Sequence, residues 1–200
     1  DRSSDVSSSA LTIFRGTHNM IFTTDLLSLK TVFLSSPDVP FHHGEYSLLQ
    51  LFNGDILLFA SASPSENGGP PPKGNLEVLH FDKDWHFLEQ KWLRDQAHYP
   101  TGSANDGRYT YISYSTWGRD TWAGQDEHLA AFDSQWNLIQ DVTLTDVQSI
   151  SDLAYGEQSM IILRGNRLYV FYDILSKSSD SDAPDFTKSR TYVAVFELNP

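Results

Sequence analysis

Apolar residues in this chain come in short alternating runs separated by polar corners, and the same order of runs returns several times. In 75–95, NLEVLHFDKDWHFLEQKWLRD, one run reaches Phe81-Asp82, turns, and leaves through Trp85 into a second run. Residues 127–146, EHLAAFDSQWNLIQDVTLTD, repeat this with Phe132-Asp133 and Trp136. At 192–200, YVAVFELNP reaches the equivalent Phe196, and at 20–37, MIFTTDLLSLKTVFLSSP carries Asp25 at a corner one residue shorter, with Leu in place of Trp. Alternation with period two predicts β-strands, so each copy reads as a hairpin.

Between these outer hairpins lie inner ones. Residues 46–52 and 55–61 flank Asn53-Gly54, 98–103 and 108–115 flank Asp106-Gly107, and 158–163 and 168–174 flank Arg164-Gly165-Asn166. Asn-Gly and Asp-Gly between apolar runs are tight-turn signals, because both residues accept positive φ. Near the start, 11–14, 19–24 and 30–35 read as strands of an incomplete first unit. No stretch keeps the i, i+3, i+4, i+7 spacing of an amphipathic helix beyond one or two turns. Asp25, Asp82 and Asp133 are 57 and 51 residues apart, and Gly54, Gly107 and Gly165 are 53 and 58 apart. Four-stranded antiparallel units at a period near 50 predict an all-β fold, a β-propeller whose innermost strands line a central channel.

The pattern predicts one domain over 1–200, with blades or partial blades at 10–37, 41–95, 98–146 and 155–200. About fourteen strands are visible, whereas closed rings of four or five blades take about sixteen or about twenty. The first unit lacks its innermost strand, and the last stops where its outermost would begin. Either 11–14 pairs with 192–198 and closes a small ring, or the chain belongs to a larger propeller. In the second case the open edge calls for a second copy or a missing propeller segment.

Composition narrows the partners. The 200 residues carry a formal charge of −12 with a pI near 4.8, which excludes nucleic acid and anionic membrane surfaces and favours a neutral or cationic ligand. The chain has no cysteine, so thiolate chemistry and disulfides are excluded while the compartment stays open, an extracellular or periplasmic one ranking first. Apolar runs such as 56–60 are far shorter than the roughly 18 residues of a spanning helix, and DRSSDVSSS at the start has no apolar signal-peptide core.

Candidate chemistry collects on one side. The expected loops 62–74, 116–126 and 176–189 are long and emerge on the same face as the connections into each inner strand, whereas the opposite turns are minimal. Those connections bring His42, His43 and Glu45, then His98 and Tyr99, then Tyr155, Glu157 and Gln158 to the same phase of three blades. The simplest alternative is that they are polar groups hydrating the channel. As a site, Glu45 and Glu157 are candidate general acid and base, with Trp117 and Trp122 as stacking platforms for sugar rings. A metal on His42 or His43 with Glu45, His98 and His128 is weighed and set aside, because the spacing lacks the regularity of a helical ligand motif; no cofactor is expected. Asp180, Asp182 and Asp185 lack the glycine and distal glutamate of a calcium loop and read as a solvated acidic stretch. Trp85, Trp92 and Trp136 read as packing between blades.

At the inner hairpins, GEYSLLQLFNGDILLFAS, HYPTGSANDGRYTYISYS and GEQSMIILRGNRLYVFYD, the chain resembles the five-bladed propeller glycoside hydrolases and arabinanase-like proteins over most of 41–198. In that family an acidic residue at the start of one inner strand serves as base and a Glu on another blade as acid. The resemblance thus implies these roles for Glu45 and Glu157, the carboxylates at the matching phase. The family's Asp near the first inner strand has no counterpart, and His98-Tyr99-Pro100 supplies no carboxylate. The expected function is a carbohydrate-associated propeller, with glycoside hydrolysis and a protein-interaction scaffold as alternatives.

Overall fold

A computed structural model describes residues 10–12, 20–25, 28–33, 46–62, 75–95, 97–116, 126–144, 153–177 and 184–198. Among them every regular element is a strand, and all pairings are antiparallel. The chain divides into two compact units, Asp1–His42 and His43–Pro200. In the first, β1 (Ala10–Thr12), β2 (Met20–Asp25) and β3 (Ser28–Phe33) form sheet I, with Asp25 opposite Ser28 at the corner. The run expected at 11–14 occupies 10–12 and pairs with β2, Ala10 opposite Thr24. The ring-closing pair with 192–198 is therefore not formed by β1 in this structure.

The second unit holds three sheets in chain order. Sheet II is β4 (Tyr46–Gln50), β5 (Ile56–Ala62), β6 (Asn75–Phe81) and β7 (Phe87–Arg94). Sheet III is β8 (Ala97–Asn105), β9 (Thr110–Thr116), β10 (Glu127–Phe132) and β11 (Leu138–Thr143). Sheet IV is β12 (Leu153–Arg164), β13 (Arg167–Lys177) and β14 (Pro184–Glu197). Each meanders from inner to outer strand, the order of a propeller blade. Gly54, Gly107 and Gly165 take positive φ of 93°, 92° and 61° in the inner turns, as the Asn-Gly and Asp-Gly signals require.

The outer turns of sheets II and III share one construction. Asp82 Oδ1 accepts the N–H groups of Asp84 and His86 at 2.8 and 2.9 Å, and Asp133 Oδ1 accepts those of Gln135 and Asn137 at 2.9 and 2.8 Å. The N–H of Trp85 or Trp136 donates to the aspartate carbonyl at 3.0 Å, and both tryptophans sit at positive φ, 70° and 65°. A left-handed conformation costs a side-chain-bearing residue about 1–2 kcal/mol. At Trp136 packing offsets it: the indole meets Phe59 of sheet II edge-on at 6.2 Å and its Nε1 donates to Glu89 at 3.4 Å. Trp136 thus packs between sheets as expected. Trp85 lies against Phe81 of its own sheet at 5.8 Å. Trp92 departs from the expectation: it is 59% exposed on the outer strand β7.

Alternation places one apolar face of each sheet against its neighbour. Leu57, Phe59, Leu76 and Val78 of sheet II meet Ile112, Tyr114, Ala130 and Phe132 of sheet III. The opposite face of sheet III, with Ala104, Tyr111 and Leu129, meets Leu168 and Val170 of sheet IV. Of five positions expected in the core, Phe59, Ile112 and Val170 are fully buried and Leu49 and Ile161 half-buried.

Candidate functional site

The inner strands are longer than their apolar runs suggest, because pairing continues through polar residues. β8 begins at Ala97 and β12 at Leu153, so His98, Tyr99, Tyr155, Glu157 and Gln158 lie within strands, not in the connections before them. Likewise β13 and β14 extend to Lys177 opposite Pro184, which shortens the loop expected at 176–189 and puts Asp185 in a strand opposite Ser176. His42, His43, Glu45, Trp117, Trp122, Asp180 and Asp182 lie outside the described residues.

Both inner strands are bulged at the candidate residues. Between the pairs His98/Ser115 and Gly102/Ser113, three residues of β8 face one of β9; Pro100, with no N–H to give, cannot complete the ladder there. Between Glu157/Asp173 and Met160/Phe171, two residues of β12 face one of β13. Bulges re-aim side chains and are common beside active sites. The two bulges hold each other: Thr101 Oγ1 accepts the N–H of Ser159 at 2.9 Å and lies 2.7 Å from Ser159 Oγ. Ser159 Oγ donates to Ser113 Oγ, which donates to the Gly102 carbonyl at 3.3 Å. Gly102 permits this approach, since a Cβ there would stand 2.7 Å from Ser113 Oγ and 2.9 Å from Ile161 Cγ1. A second hydroxyl pair, Ser47 with Ser103 at 2.9 Å, ties β4 to β8.

Behind these hydroxyls lies Glu127, fully buried at the start of β10. Its Oε2 accepts the Ser115 hydroxyl at 2.9 Å, and the Ser159 hydroxyl is also within reach. Burial pushes its pKa up to about 7, against the opposing pull of those hydroxyls and His128. Glu127 was not among the sequence candidates. The signal was present, because Glu127 shares the alternation phase of Leu129 and Ala131, which face sheet IV.

On the other face of β10, His128 is engaged structurally. Its Nδ1 lies 3.0 Å from Asp141 Oδ1 and its ring stacks on Tyr114 at 5.2 Å. Asp141 Oδ2 also accepts the Tyr114 hydroxyl at 2.7 Å, and Arg94 from sheet II reaches both Tyr114 and Asp141. Burial works against the Asp141 carboxylate, but hydrogen bonds from His128 and Tyr114 and the nearby Arg94 charge hold it below the usual carboxylate range. The cluster clamps sheet II to sheet III. Among the described residues no group of three His, Asp or Glu side chains could hold a metal ion.

No protein-family model and no characterised sequence matches the chain. Solved structures do. A GH43_12 protein retrieved from a capybara gut metagenome superposes with a TM-score of 0.59 at 13% identity, over 87% of this chain and 34% of its own. A xylan β-1,4-xylosidase from Bacillus halodurans C-125 gives 0.57 at 13%, over 96% and 38%, and an α-L-arabinofuranosidase from Lactobacillus brevis 0.51 at 16%, over 88% and 66%. The chain therefore spans about a third to two thirds of the length of these structures. It has their fold, that of the five-bladed β-propeller glycoside hydrolases, as the inner-hairpin resemblance implied.

Proposed function

We propose that this chain is a carbohydrate-associated β-propeller, its four sheets belonging to one propeller domain. Its ligand binds where β8 and β12 reach the long-loop side. The observation that carries the reading is the pair of interlocked bulges at Thr101 and Ser159, in the stretches that hold His98, Tyr99, Tyr155, Glu157 and Gln158. His42, His43, Glu45, Trp117 and Trp122 complete the proposed site from sequence. Its net charge of −12 suits a neutral ligand such as a sugar.

A second reading, glycoside hydrolysis, is favoured by register: Glu157 lies directly opposite Asp173, so the strand pair offers two carboxylates where the sequence pointed to one. Retaining hydrolysis needs two carboxyl groups about 5–5.5 Å apart and inverting hydrolysis about 6.5–9.5 Å. The superposed xylosidase and arabinofuranosidase support the same class. The deciding experiment is a screen of oligosaccharides and chromogenic glycosides against the wild type and the Glu45→Gln, Glu157→Gln and Asp173→Asn variants. Binding that survives these changes without turnover supports a binding module, and turnover lost with any one of them supports a hydrolase. No response to any sugar would refute both and leave an interaction scaffold.

A further inference from the structure

Sheets II, III and IV have the same register, which allows their faces to be compared position by position. Phe81, Phe132 and Phe196 end the third strand of each sheet, opposite Ile56, Thr110 and Leu168. Counting from there, Leu57, Tyr111 and Tyr169 are equivalent, as are Phe59, Ser113 and Phe171, and Val78, Leu129 and Val193. In sheet II these residues are buried by sheet III: Leu57 is 1% exposed, and Phe59 and Val78 are 0% exposed. In sheet III, Tyr111 and Leu129 are buried by sheet IV. In sheet IV the equivalent face is open, with Met160 53%, Val193 49% and Val195 53% exposed.

That face is organised as an interface. One row runs Met160, Phe171, Val193 and the next Ile162, Tyr169, Val195, each set by the strand pairing. The rows are bracketed by Asp173 opposite Thr191 on one side and by the Arg167–Glu197 ion pair, at 3.0 Å, on the other. An apolar centre with a polar rim is the anatomy of a buried protein interface. The adjoining edge is also open: among the described residues β14 pairs only with β13, at the place where β6 and β10 accept β7 and β11. A second copy pairing edge to edge about a two-fold axis normal to the sheet would extend the apolar face and leave it uncovered, whereas a sheet laid face to face covers it.

We propose that the open face of sheet IV seats one further β-sheet of the blade type, packed on Tyr169, Phe171 and Val193 as sheet III packs on Leu57, Phe59 and Val78. The test extends the full chain at Pro200, through a Gly/Ser linker, with a copy of residues 97–144, whose front face already covers the equivalent positions in sheet II. Hydrogen exchange and binding of the apolar dye ANS are compared with and without the extension. The expected result is strong dye binding by the chain alone, reduced several-fold in the extended chain. Exchange in β13 and β14 slows at least tenfold, and Val193→Lys reverses both effects without altering exchange in β5 and β6. Unchanged exchange in β14 beside a folded extension overturns the proposal. So does a dimer of the unextended chain that Val193→Lys dissociates, which would make a second copy the occupant. Independently of the extension, Val193→Lys with Val195→Lys in the chain alone should abolish dye binding with no fall in the unfolding midpoint; a lowered midpoint means the face is already covered, and the proposal fails.

Discussion

Replacing Glu127 by Gln should remove a large part of the protein's stability loss between pH 5 and pH 8. The carboxyl is fully buried between sheets III and IV, and its folded pKa lies near 7 against an ordinary value of 4.5. A raised pKa means that the folded state holds the proton through a range where the unfolded chain has released it, so folding loses ground as pH rises from about 4.5 to about 7. Each unit is worth about 1.4 kcal/mol, which makes the full effect about 3 kcal/mol, to within a unit or so of pKa. Glutamine keeps the shape and can still accept the Ser115 hydroxyl, but it has no charge to bury. The assay is urea unfolding of wild type and Glu127→Gln at pH 4.5, 5, 6, 7 and 8, reading the difference in unfolding free energy at each pH so that other titrating groups cancel. The variant should gain on the wild type by about 3 kcal/mol across that range. A difference constant with pH would mean that Glu127 is solvated or paired when ionised, and the burial assignment would be wrong.

Three further expectations follow from the same packing. Gly102→Ala forces a methyl against Ser113 and Ile161 and should cost about 1–3 kcal/mol in urea unfolding, with faster hydrogen exchange in β8 and β12 as the local signature. Trp136→Gly relieves the positive φ, worth about 1 kcal/mol, but loses the contact with Phe59, worth about 2–3 kcal/mol, so a net loss of about 1–2 kcal/mol is expected; a gain would mean that the indole contributes nothing between the sheets. Asp141 has a depressed pKa, so its contribution is present above about pH 4 and lost on acidification. Asp141→Asn should therefore cost about 1–3 kcal/mol at pH 6 and progressively less below pH 4, read by denaturation at each pH.

Strand positions were legible because alternation and turn chemistry agree. The Phe-Asp corners, Asn53-Gly54 and Asp106-Gly107 located all the hairpins between β4 and β11, and the repeat of those corners gave the propeller order. The expectation broke where pairing outruns hydrophobicity. In β12 and β14 polar residues such as Tyr155-Gly156-Glu157 and Asp185 continue the ladder through backbone hydrogen bonds, which leave no apolar trace. Trp92 failed as a packing residue for a related reason: residue type alone was read where its side of an edge strand decides exposure.

The candidate site was legible in chemistry but not in mechanics. Sequence order put His98 and Glu157 at the same phase, yet nothing in either run announces that two bulges interlock through Thr101 and Ser159, since that contact joins residues 58 apart. The consequence bears on how the site would respond to change. Ser159 holds the β12 bulge immediately after Glu157, and it touches both the Thr101 hydroxyl and the network that buries Glu127. Ionising Glu127 places a charge behind the same hydroxyls that fix the two inner strands. A strand pair tuned to hold a ligand over Glu157 and His98 would therefore be firmest where Glu127 is neutral, below about pH 7. Ser159→Ala, which removes the shared hydroxyl, should loosen β8 and β12 together, and hydrogen exchange that speeds in β12 alone would show the bulges to be independent.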